Sequence, residues 1–139
     1  MSRLRDEEFI RTHAVGGWNS LGWVGDEIVT PQAIERGGQL LAAARTAAAK
    51  DEQAMQRVEF LGKGLVHTRL VVETMRAYRA WKANPGKLGL PKEFTGKLHE
   101  LDGYRQTIKS DYVVDLALLR KLELWSGWRS GRPGGSGGK

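Results

Sequence analysis

From Thr30 onward, apolar residues recur at helical spacing along most of the chain. Thr30-Pro31 reads as a helix start: the hydroxyl caps free N–H groups, and Pro occupies the first helical position, where its missing N–H costs nothing. Ile34, Leu41, Ala44 and Ala48 then fall on one face, which Leu40 and Ala47 widen. The alanine-rich run from Leu40 to Ala49 favours helix, while Gly37 and Gly38 weaken the first turns by about 1 kcal/mol each relative to alanine. Asp51 is the expected cap of a second, longer helix reaching about Asn84. Its seam runs Val58, Leu61, Leu65, Thr68, Val72 and Met75, then must rotate toward Tyr78 and Trp81, because continuing it would bury Arg79 and Lys82. Gly62 and Gly64 within this helix predict a close crossing with a neighbour or, second, a local kink. Asn84-Pro85-Gly86 ends it, since the residue before proline resists the helical region.

A third helix follows Pro91, with Phe94, Leu98, Leu101, Tyr104 and Ile108 on one face and Lys92, Glu93, Lys97, Glu100 and Lys109 outside. Asp111 is the expected cap of a fourth. In this helix Val114, Leu118, Leu122 and Trp125 form one apolar face, and Val113, Leu116, Leu124 and Trp128 a second. A helix apolar on two sides is either deeply buried or faces a partner. The first residues differ in kind. After a short helical stretch around Phe9 and Ile10 comes the aperiodic segment from Gly16 to Gly25, which carries Trp18 and Trp23. The expected organisation is all-α: a Trp/Gly-rich arm over 1–29, a three- to four-helix bundle over 30–128, and a disordered, basic, Gly-rich tail over 129–139.

Charge changes this picture little. The net charge of +6 suggests a polyanion partner, but three of the excess cations lie after Trp128. The rest are spread along the second helical region with Glu35, Glu59 and Glu73 interspersed, whereas a nucleic-acid face is usually a denser stripe. The chain contains no cysteine, which excludes disulfides and cysteine-based zinc sites. No stretch approaches the roughly 20 apolar residues of a membrane span. The N-terminus turns acidic at Asp6-Glu7-Glu8 and has no apolar run, so it does not read as a signal peptide. The expected compartment is cytoplasmic for a free-standing protein, and exported for part of a longer one.

Catalytic constellations are weak. His13, His67 and His99 lack metal-ligand spacing. The Gly-Lys pairs at Gly62-Lys63 and Gly96-Lys97 lie within helices and lack the remainder of a phosphate loop. Ser20, Ser110 and Ser126 have no placed base. The carboxylate pair Asp26-Glu27 is the strongest acid/base candidate, although paired acids at a helix start ordinarily complement the helix dipole. The residue reading therefore expects no catalytic residue, no metal and no cofactor. The candidates for an interface, or for stacking on a carbohydrate, are Trp18, Trp23, Val113, Leu116, Leu124, Trp125 and Trp128.

Thr30-Pro31-Gln32-Ala33-Ile34 through Ala49, followed by Arg57-Val58-Glu59-Phe60-Leu61-Gly62-Lys63-Gly64-Leu65, resembles the C-terminal helical module, a domain of unknown function, of large bacterial glycoside-hydrolase-like barrel proteins. The resemblance spans roughly residues 30–128 and implies a non-catalytic accessory module that packs on a barrel. This sequence has no barrel, so none of that group's catalytic carboxylates is carried over. The expected partner is a barrel domain or another protein, met through the second apolar face of the fourth helix. The alternative is a small basic helical protein that binds nucleic acid.

Overall fold

A computed structural model describes residues 25–84, 91–111, 115–125 and 127–129. The chain is all-α: the elements among these residues are helices, with no strand. After a helical turn over residues 25–28 come α1 (Pro31–Ala47), α2 (Glu52–Lys82), α3 (Lys92–Ile108) and α4 (Leu116–Trp125). The arm residues Trp18 and Trp23, the expected helix around Phe9, Val113 and the segment 130–139 lie outside the described residues.

Local chemistry sets the helix starts. Thr30 Oγ1 accepts from the Ala33 N–H at 3.1 Å with Pro31 just inside α1, and Asp51 Oδ1 accepts from Ala54 at 2.9 Å to open α2. These side chains replace the missing backbone acceptors of a first turn. The fourth helix departs from expectation. Asp115, not Asp111, caps it, with one carboxylate oxygen accepting from Ala117 and Leu118 at 2.9 and 3.1 Å. Asp111 instead takes the Lys63 ammonium at 2.8 Å, which fastens the end of α3 to α2.

The 31-residue α2 is the spine of the structure, about 46 Å long at 1.5 Å per residue. Gly37 lies against Leu65, and Arg76 donates to the carbonyl of Val29 at 2.7 Å, so α1 runs antiparallel along α2. The α3 helix is antiparallel to α2 as well: Phe94 meets Tyr78 with ring centroids 5.8 Å apart, Lys97 meets Glu73, and Arg105 reaches His67. The core lies between α2 and α3, where Leu70, Met75, Tyr78, Phe94 and Leu101 pack with Trp128. Phe94 and Leu101 are wholly buried, as the helical spacing of the third element requires.

Three expectations are corrected. Of the close crossing expected at Gly62 and Gly64, Gly62 has no part, since an added Cβ there would meet nothing within 4 Å; at Gly37 one would stand 3.1 Å from Leu65 Cδ1. Leu61, read as a seam residue, is 60% exposed, although Val58, Val72 and Met75 of the same seam are buried. Trp128, placed on an outer face of the fourth helix, is 2% exposed. The helix stops at Trp125, Gly127 adopts φ 84°, and the chain turns inward. That left-handed conformation suits glycine, which has no Cβ to clash.

Candidate functional site

Two features go beyond ordinary packing: a buried ion-pair network at the α3–α4 contact, and a set of half-exposed leucines. The network is centred on Arg105, which is 1% exposed. Its Nε donates to His67 Nε2 at 2.9 Å, and its terminal nitrogens hold both oxygens of Glu123, with Nη1 at 2.8 Å from Oε2. Glu123 Oε2 also accepts from Arg129 Nε at 2.7 Å. Arg129 in turn clasps Asp102 with both terminal nitrogens, at 2.9 and 2.8 Å, and Arg120 joins Asp102 from the rim at 3.4 Å. The Arg129 guanidinium lies 5.9 Å from the Trp128 ring centroid, within cation–π range. Burial of so many charges is tolerable only because each meets an opposite charge with hydrogen-bond geometry.

Electrostatics follow from this wiring. The two arginine–carboxylate contacts and Arg120 hold Asp102 below its ordinary value, with the Arg129 hydrogen bond the leading cause. Burial lowers His67 first, and the neighbouring Arg105 charge lowers it further. The boundary expected before residue 129 moves accordingly: Arg129 is 9% exposed and belongs to the folded body.

The network also explains the faces of α4. The side chain it buries among the described residues is Glu123, 5% exposed, because that position meets Arg105. Leu119 and Leu122 are partly buried beside it, and two other leucines are displaced to the flanks. Leu118 and Leu124 are 51% and 50% exposed, and Leu116 is half-buried. Of the residues expected at an interface, Leu124 therefore lies at the surface, Leu116 is partly covered, and Trp128 is taken into the core. Trp125 ends α4.

A second apolar area follows α1 and α2. On one side of the Gly37–Leu65 contact line a shallow groove is lined by Leu41, Ala42, Arg45, Glu59, Lys63 and Tyr104. At 100° per residue, Leu40 and Leu61 project from the opposite side of that line, and they are 55% and 60% exposed. Sequence periodicity missed this pair because it assigns every apolar position near a seam to the interior.

The remaining candidates resolve into structural roles. Asp26 and Glu27 do not form a free carboxylate pair, because Arg79 binds both, at 2.6 and 2.9 Å. Burial raises the Asp26 carboxyl, although Arg79 opposes the shift. Arg76 donates to the carbonyls of Asp26 and Val29, closing the C-terminal end of the turn over 25–28. Lys97 bridges Glu73 and Glu100 at 2.7 and 3.3 Å. Among the described residues no group of His, Asp and Glu side chains is arranged to hold a metal ion. No helix among them is long and apolar enough to cross a membrane. Compared with known proteins, the chain matches no family model, no curated protein and no solved structure.

Proposed function

We propose that this chain is a non-catalytic helical interaction module that docks on a larger protein surface through the leucines of α1, α2 and α4. The observation that carries the reading is the exposure of Leu40, Leu61, Leu118 and Leu124, each showing half or more of its surface. With about half of each side chain still in water, roughly half of the 1.5–3 kcal/mol of a full burial is forgone apiece, which a partner surface recovers. Polar chemistry supports the same view. Arg79, Lys63, Lys97, Arg105 and Arg129 all face carboxylates, which leaves them poorly placed to grip phosphates. The resemblance of residues 30–128 to the helical module of glycoside-hydrolase-like proteins makes a barrel of that kind the expected partner.

The test is calorimetric titration of the full chain into such a barrel lacking its own helical module. Leu61→Ser and Leu118→Ser should each weaken binding about tenfold, equivalent to about 1.4 kcal/mol. Binding that is absent, or indifferent to both substitutions, would contradict the reading. Retardation of an oligonucleotide that weakens steeply with salt would replace it with the nucleic-acid alternative.

A further inference from the structure

The contact between Arg105 and His67 constrains the protonation state of the histidine. Arg105 Nε is a donor and cannot be deprotonated, so His67 Nε2 must accept, and the imidazole is neutral with its proton on Nδ1. With His67 neutral, the charges around it balance: buried Arg105 and Arg129 against buried Glu123 and the partly exposed Asp102. A proton on Nε2 would break the 2.9 Å hydrogen bond and press an imidazolium against the guanidinium. It would also give the cluster an uncompensated positive charge.

The groups facing His67 are Arg105 from α3 and Glu123 from α4, with Arg129 and Asp102 behind them. Lys63, one turn earlier on α2, is neutralised by Asp111. Glu123 attracts the added proton, but both its oxygens are already held by arginines. The element with most to lose is α4. Glu123 is its buried side chain among the described residues, and that residue meets α3 through Arg105, while Arg120 and Arg129 reach Asp102 from the same C-terminal stretch. By contrast, α2 and α3 are joined independently through Tyr78, Phe94, Leu70 and Leu101.

We propose that protonation of His67 is a built-in release: it displaces Arg105 from His67 and Glu123, and α4 loosens from α3 while the α2–α3 core, with Trp128 in it, and the Arg129–Asp102 clasp stay in place. The direction agrees with the histidine's lowered affinity for protons. A group whose folded value lies below its unfolded value near 6.5 supports the docked state fully above that value and withdraws support as pH falls through it.

Hydrogen exchange of the full chain, corrected for intrinsic rates and compared between about pH 7.5 and 5, tests the release. Peptides from α4 should lose at least about tenfold protection in acid while peptides from the α2–α3 contact keep theirs. His67→Gln retains an acceptor for Arg105 without a titrating group, so its α4 protection should not change with pH. Equal loss in that variant, or loss spread evenly over all helices, would overturn the proposal. If the variant fails to fold, the imidazole resonances of the unaltered protein decide: the His67 midpoint must coincide with α4 release, and separate midpoints would overturn it.

Discussion

Arg105 and Glu123 form a two-pronged ion pair inside the protein, both less than a tenth exposed, and the pair joins α3 to α4. The two partners are not equivalent. Glu123 has a second cation in Arg129, whereas Arg105 has Glu123 as its only anionic partner in this network. Removing Glu123 leaves a buried guanidinium held by a neutral imidazole. Glu123→Leu should therefore cost about 3–5 kcal/mol, the range for stranding a buried charge. Arg105→Met should cost roughly half as much, because Arg129 still neutralises the carboxylate. Urea denaturation of the two variants measures the difference, and the reverse order would show the wiring to be wrong.

Buried Asp26 and partly exposed Asp102 should titrate on opposite sides of the ordinary value of 3.8. Asp102 is held down by its hydrogen bonds to Arg129, so it stabilises the fold above 3.8, and that support is lost as pH falls through its lowered folded value. Asp26 is pushed up by burial, so protonation in the folded state relieves a penalty and its contribution improves as pH falls through the raised value. Carbon-detected carboxyl titrations should place Asp26 above Asp102. Coincident midpoints would contradict the electrostatic account.

Neighbouring glycines provide an internal control on packing. Gly38→Ala and Gly62→Ala place a methyl in open space within a helix. Each should stabilise by about 0.5–1 kcal/mol through helix propensity and reduced freedom of the unfolded chain. Gly37→Ala has the same propensity gain but requires Leu65 to move from 3.1 Å, so its gain should be visibly smaller or lost. Equal shifts in urea midpoint for Gly37→Ala and Gly38→Ala would show that the α1–α2 approach is looser than described.

The helical elements were legible because their signals are local. The caps at Thr30 and Asp51 are side chains acting three residues ahead, and Phe94, Leu101 and Ile108 repeat at one helical face. Exposed Leu124 was legible as part of a second apolar face of the fourth helix, whereas exposed Leu61 and Leu118 and the buried network were not, for a common physical reason. Reading polarity as exposure sends Arg105, Glu123 and Arg129 outward and Leu61 and Leu118 inward, whereas the structure does the opposite with each. The pairing that makes those charges tolerable inside lies 18 residues away for Arg105 and Glu123, and 27 for Asp102 and Arg129. Spacing within a single helix carries no trace of it. Trp128 was misplaced because extending the α4 period past Trp125 ignores the left-handed turn at Gly127.

The most direct test of the central claim, that the Arg105–Glu123 pair holds α4 in place with Leu118 and Leu124 turned outward, is a double-mutant cycle. Arg105→Met, Glu123→Leu and their combination would be compared with the unaltered chain by urea denaturation at neutral pH. A coupling energy of about 2–3 kcal/mol is expected, with the double variant far less destabilised than the sum of the singles. Losses that add to within about 0.5 kcal/mol would mean that the two side chains act independently, and the described anchoring of α4 would be wrong.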